Sequence, residues 1–305
     1  MFGNVVLCGN IKNDNKYALK TVSRRKIGAY GLSESLIAER QILMTIDHSF
    51  IMKLIKTFKD ENRVYFLTEY VHGADLFDVL RKLNICSDAQ SRFYCGIFIL
   101  ILEHLQERHI IHRDLKPENV MIDEVGYPKL IDFGTAKIVT SRTFTIVGTP
   151  HYMAPEVILG KGYGASADLW SLGIMLYEFR CGGVPFGEEM NDSYKVYEAI
   201  LSWDIEYPMT INKKSPIVNL IDTLLSRNPG ARSDPVSLKS HRFFNKFVWE
   251  DLVHKKIRAP WMDPMNKLNK SYQNETIYEL LTQNESNESK MKVKKPPPSD
   301  WDRDF

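Results

Sequence analysis

The sequence predicts an α+β chain of two unequal lobes, a small strand-rich lobe followed by a larger helical one. Two observations carry this. Residues 1–70 alternate short apolar runs with turn-forming clusters and leave room for one helix. After Gly73 the apolar residues recur at helical spacing over longer stretches. The chain has 305 residues, of which 44% are hydrophobic and 26% charged, enough for a sizeable core.

The elements follow in order. Residues 4–8 (NVVLC) and 16–22 (KYALKTV) read as strands joined by a turn from Gly9 to Asn15. A helix is expected from Ser33, a plausible N-cap, to Ile46, with Leu36, Ile37, Leu43 and Met44 at helical spacing. Residues 51–58 and 63–69 form a second strand pair. In the larger lobe Ser87 caps a long helix whose face is Phe93, Ile97, Leu100, Ile101 and His104. Short strands are expected at Val120–Ile122 and Lys129–Ile131. A helix over 166–180, apolar on most sides, is a buried one, and helices near 194–202 and 216–226 complete the lobe. From Phe247 the chain turns irregular. Its polar, proline-rich stretch 283–298 cannot bury much apolar surface, yet the sequence ends on the aromatics Trp301 and Phe305. These two are expected to dock in an apolar pocket of the small lobe. The corresponding division is 1–70, 71–247 and 248–305.

Bulk properties exclude several classes. The formal net charge of +2 gives no whole-chain argument for nucleic acid. Four scattered cysteines with no C-x-x-C pair suit a reducing compartment, and no apolar run approaches the roughly 20 residues of a membrane span. A soluble cytoplasmic protein, not integral to a membrane, is the expectation.

The strongest chemical signal is His112-Arg113-Asp114-Leu115-Lys116-Pro117-Glu118-Asn119. It resembles the catalytic loop of protein kinases, H-R-D-x-x-x-x-N. Phosphoryl transfer needs a carboxylate to orient the attacking hydroxyl and take its proton, and Asp114 holds that place. It needs a cation beside the migrating group, for which Lys116 fits, and oxygen ligands for Mg²⁺, for which the Asn119 amide fits. Asp132-Phe133-Gly134 follows an apolar strand in the family's order, so that Asp132 is the second Mg²⁺ ligand and Phe133 packs beneath the helix of Glu39. Tyr17-Ala18-Leu19-Lys20 is similar to the family's V-A-I-K strand. Lys20 would hold the ATP α- and β-phosphates, with Glu39 as its partner. Phe2-Gly3-Asn4-Val5 resembles the end of the glycine-rich loop, and the strand and two glycines expected ahead of it are not in this sequence. The domain thus reads as N-terminally shortened.

The resemblance implies the two-lobed kinase fold, with a small antiparallel-sheet lobe carrying one main helix. It implies further roles. The adenine edge would bond the backbone of Glu69 and Val71, with Thr68 as gatekeeper, Met121 as floor and Val5 and Ala18 above. Asp75 would bond the ribose and, with Glu118 and Glu178, basic residues of a protein substrate. Thr149 would bond Asp114 and Lys116. Thr145 would be the activation-loop phosphosite, facing Arg113 and Lys137, with Ser35 where relatives have a histidine. Glu156 would pair with Arg232, and Asp168 would bond the catalytic-loop backbone.

Arg142-Thr143-Phe144-Thr145 and the run from Gly148 to Glu156 resemble the cyclic-nucleotide-dependent branch of the AGC kinases. The ending Trp301-Asp302-Arg303-Asp304-Phe305 is similar to the W-D-x-D-F terminus of the cGMP-dependent kinases, and Thr68 to their protist members. A basophilic Ser/Thr kinase using ATP and Mg²⁺ is the expected function. Cyclic-nucleotide-binding regulatory domains in a longer product are expected partners. A cAMP-dependent catalytic subunit and a non-catalytic scaffold of the same fold are the alternatives.

Overall fold

The computed structural model describes residues 3–9, 15–83, 85–262, 265, 300–303 and 305. The expected turn at 10–14, the stretch 283–298 and residues Phe2 and Asp304 lie outside the described residues. An antiparallel four-stranded sheet opens the chain, ordered β1-β2-β4-β3, from β1 (Gly3–Gly9), β2 (Lys16–Ser23), β3 (Leu54–Lys59) and β4 (Arg63–Glu69). Its register sets Lys20 opposite Val5 on one side and Phe66 on the other.

Between β2 and β3 stand two helices, not one: α1 (Arg24–Tyr30) and α2 (Ser33–Thr45). The sequence reading missed α1 because seven residues show little periodicity. Local chemistry makes it: the Ser23 hydroxyl accepts from the Lys26 N–H, and Gly31 closes the helix at φ 65°. Leu32, not Ser33, is the N-cap of α2, and its hydrocarbon side chain has no acceptor for a cap bond.

A small sheet β5-β7-β8, of β5 (Gly73–Asp75), β7 (Val120–Asp123) and β8 (Pro128–Leu130), begins the larger lobe, with α3 (Leu76–Leu83) beside it. The long helix α4 (Asp88–Glu107) starts on a full capping box, Ser87 with Gln90. It is buried nearly all round, with Tyr94, Cys95, Phe98 and Ile99 as enclosed as the expected face. Helix α6 (Ser166–Cys181) lies against it and against α8 (Pro216–Leu224), so both helices form the lobe's core. The pair β6 (Ile110–Ile111) and β9 (Lys137–Ile138) brackets the loop 112–119. α5 (Pro155–Ile158), α7 (Ser193–Ser202) and α9 (Pro235–Leu238) complete it.

Over the described residues 248–262 the chain is more ordered than its composition suggested. α10 (Trp249–Val253) packs Leu252 under α4, and Trp261 stacks on Tyr94 at 3.8 Å between centroids. Apolar residues placed singly leave no periodicity, so only the tertiary groove of α4 reveals their purpose. Trp301 and Phe305 do pack on the small lobe: Phe305 meets Phe66 edge-on at 5.5 Å, and the Arg40 guanidinium lies 5.4 Å from its ring centre. Asp302 between them is 2% exposed, ion-paired with Arg24 and with Lys59.

Candidate active site

The polar residues of the site come from a strand, a helix and several loops, and the cleft between the lobes brings them together. From the sheet, β2 extends Lys20, whose Nζ lies 2.6 Å from the Glu39 carboxylate of α2. Burial pulls the Lys20 ammonium down, but Glu39 and Asp132 outweigh it and hold its pKa above the ordinary value. The Asp132 Oδ1 stands 3.9 Å from the same Nζ and accepts the Gly134 N–H at 3.0 Å. Lys20 therefore remains a cation directed into the cleft.

The loop 112–119 is fixed from beneath. Asp168, on the buried helix α6, accepts the N–H groups of His112 at 2.7 Å and Arg113 at 2.8 Å. Arg113 has φ 71°, a costly conformation for a side chain with a Cβ, and these bonds with its own Nε–H to the Thr135 carbonyl (2.6 Å) maintain it. His112 donates from Nε2 to the Asp132 carbonyl at 2.6 Å and meets the fully buried Phe133 edge-on. Phe133 is fully buried in the same core cluster as Leu36, Ile42 and Leu43 of α2.

Asp114 is the centre of a closed network. Its Oδ1 accepts from the Thr149 N–H (2.9 Å) and hydroxyl (2.7 Å), and its Oδ2 accepts from Asn119 Nδ2 at 3.1 Å. Lys116 Nζ lies 3.3 Å from Oδ2 and donates to Thr149 Oγ1 at 2.6 Å. Burial raises the Asp114 carboxyl, yet Thr149, Lys116 and Asn119 together bring it below the ordinary value. Such a carboxylate is charged throughout the neutral range and better suited to orient a hydroxyl than to deprotonate one beforehand. Gly148 permits the arrangement: φ is 122°, and a Cβ there would lie 2.7 Å from the Arg113 carbonyl.

A cavity of about 250 Å³ runs beneath β1, lined by Gly3, Val5, Ala18, Lys20, Glu39, Thr68, Glu69, Val71, Glu118, Asn119, Met121 and Asp132. Leu43, Met52, Phe66 and Ile131 also line it; apolar residues without a motif gave the sequence no signal. The Glu69 N–H is taken by the Lys53 carbonyl, and its carboxylate by Lys53 N–H and Lys129. Among the described residues no bond takes the Val71 N–H. Gly3 lies in β1 opposite Val22, where a Cβ would stand 2.5 Å from the Thr21 carbonyl, so strand packing as well as the cavity calls for glycine.

A second space of about 520 Å³ continues past Lys20 to Asp114, Lys116, Arg113, Thr145 and Ser35. Among the described residues no hydrogen-bond partner reaches the buried Arg113 Nη1, while Thr145 is exposed. Lys137 instead reaches Thr143 Oγ1 at 3.4 Å.

Asp75 does not line either cavity: its Oδ1 caps α3 by accepting the Asp78 N–H at 2.7 Å. Glu178 lies behind Tyr152, whose hydroxyl it accepts at 2.8 Å. Burial first, and then Glu118 and Glu188, raise its carboxyl to about 7. Glu156 and Arg232 form the expected pair, two-pronged at 2.6 and 2.9 Å.

Comparison with known proteins agrees with this geometry. The model of the protein kinase domain matches residues 1–244. The chain is similar to the cGMP-dependent protein kinase of Toxoplasma gondii, 44% identical over 264 residues, covering 85% of this chain and 26% of that protein. It is similar to that of Plasmodium berghei, 40% identical over 309 residues, covering 100% and 35%. The cAMP-dependent protein kinase catalytic subunit of Dictyostelium discoideum is 39% identical, covering 86% and 40%. The chain spans about a quarter to a third of the length of these cGMP-dependent relatives. With its sheet, helical lobe and cleft, the chain belongs to the protein kinase domain family.

Proposed function

We propose that this chain is the catalytic part of a Ser/Thr protein kinase of the cGMP-dependent type, acting on protein hydroxyls in basic sequence contexts. The observation that carries the reading is the meeting of Lys20–Glu39, Asp132, Asn119 and the Asp114–Lys116–Thr149 network around one continuous cleft. Adenine is accommodated between Ala18 and Met121, with the Glu69 carbonyl and the Val71 N–H on its polar edge and Asp75 at the ribose end. Val5 lies above the adenine with Ala18, Gly3 belongs to the loop over the phosphates and Lys20 holds them. Asp132 Oδ2 and Asn119 Oδ1 have no bond among the described residues and border the same cavity, an all-oxygen donor set that fits Mg²⁺. Bound there, the ion would neutralise phosphate charge.

The residues of the chain do the rest. Asp114 orients the substrate hydroxyl and takes its proton as transfer proceeds. Lys116 stabilises charge on the migrating group, and Thr149 locks Asp114 and Lys116 in register. Glu118 and Glu178, with Asp75, receive the substrate's Arg or Lys side chains. A phosphate on Thr145 would bring about −1.5 to −2 charge toward the orphaned Arg113 nitrogen, ordering the segment. We divide the chain into the small lobe 1–70, large lobe 71–247 and tail 248–305. The cGMP response named for the relatives is proposed for the gene product holding this domain. Four free cysteines support a cytoplasmic location, and among the described residues no helix is long and apolar enough to cross a membrane.

Transfer of labelled phosphate from ATP to an Arg-rich Ser peptide tests the reading. Transfer is expected, with a Lys-free, Arg-free peptide much poorer. Equal transfer by the Asp114→Asn variant would refute it.

A further inference from the structure

A separate cavity of about 520 Å³ opens on the larger lobe and shares no lining residue with the two spaces of the cleft. Three cations from three parts of the chain stand on its wall: Arg142 ahead of Thr145, Lys161 after α5 and Arg227 after α8. Among the described residues none of these three side chains has an ion-pair or hydrogen-bond partner. The carboxylate on the wall, Glu156, is fully engaged by Arg232. Ser141 and Ser166 add hydroxyl donors.

Three uncompensated like charges around one cavity repel one another, and an anion between them removes that cost. Guanidinium forks, an ammonium and hydroxyls are the donors that match the several oxygens and double charge of a phosphate monoester. The cavity also joins the segment ahead of Thr145 to the body of the lobe. Thr143 and Tyr163 exchange backbone bonds of 3.0 and 2.9 Å, the Tyr163 hydroxyl donates to the Thr145 carbonyl at 2.6 Å, and the Phe144 ring covers Gly162.

We propose that this pocket binds a phosphate monoester through Arg142, Lys161 and Arg227 and thereby clamps residues 141–145 to the loop 161–164. The ligand is recognised by its phosphate, whether carried on a peptide side chain or free.

Inorganic phosphate is titrated into the full chain by calorimetry, with ionic strength held constant by chloride, and hydrogen exchange is followed at the Thr143 and Tyr163 amides. One saturable site is expected, with exchange at both amides slowed. Lys161→Ala/Arg227→Ala, which changes exposed side chains, is expected to weaken binding about tenfold or more and to abolish the slowing. Arg142→Gln, on a different segment, is expected to weaken binding likewise, and circular dichroism checks the fold of each variant. A phosphoserine peptide that binds more tightly than phosphate supports a peptide-borne ligand; equal affinity supports a free anion. No saturable binding, or the same Kd in wild type and in the folded variants, overturns the proposal.

Discussion

The two sides of the cleft are built differently. On the large-lobe side Asp114 is held by neighbours in its own loop and by Thr149, and that loop rests on Asp168 of a helix buried in the core. On the small-lobe side the Lys20–Glu39 pair depends on α2 and on a segment more than 240 residues away: Phe305 packs on Phe66, which lies beneath Lys20 at 5.7 Å, and on Arg40 next to Glu39. One side is preorganised by the hydrophobic core. The other is held by contacts from the chain's end, the partly buried Trp301 and Phe305 beside the buried Asp302. Changes on the first side should therefore act on kcat and folding, and changes on the second on nucleotide affinity.

The largest expected effect is chemical. Asp114→Asn keeps the shape of the network but removes the proton acceptor, so kcat should fall about 10³-fold with little change in the KM for ATP. Steady-state kinetics checks this, and a proportionate rise in KM would break the contrast. Next is Asp168→Ala, which strips the partners of two buried N–H groups and leaves the positive φ of Arg113 unsupported. A loss of about 3 kcal/mol in stability is expected by denaturant titration.

Asp302→Ala should be milder. It removes a buried carboxylate from Arg24 and Lys59, frees the tail end, and should raise the KM for ATP about fivefold while kcat stays near wild type. If kcat falls instead and KM holds, the small-lobe side is not tuned by the tail. The smallest effect is on pH. Glu178 has its carboxyl raised to about 7, so it is neutral below that pH and charged above it. Only the charged form attracts a substrate guanidinium, so kcat/KM for an Arg-containing peptide should rise about threefold between about pH 6 and 8. Glu178→Gln should flatten that rise; a profile unchanged by the substitution would remove Glu178 from substrate recognition.

Much of the site was legible because phosphoryl transfer constrains residue type and order together. Lys20, Asp114, Asn119 and Asp132 each carry a charge or amide in a fixed sequence context, and the cleft brings all four together. Legibility failed where a residue acts through shape. Leu43, Met52 and Ile131 line the cavity as ordinary apolar residues, and α1 is too short for a periodic pattern. Local bonds were not legible either: one Asp75 carboxylate oxygen caps α3, and the Lys137 ammonium reaches Thr143.

By itself the sequence determined the α+β class, the longer strands and helices, and the chemical groups of the cleft, because hydrophobic period and charged motifs are local properties of the chain. Only the tertiary structure decided how those groups are supported. The buried Asp168 under His112 and Arg113, the tail's Trp261 on Tyr94 and Phe305 on Phe66, and the meeting of Arg142, Lys161 and Arg227 around one pocket all join residues far apart in sequence. Such pairings come from packing of the whole chain, which no window of neighbouring residues encodes.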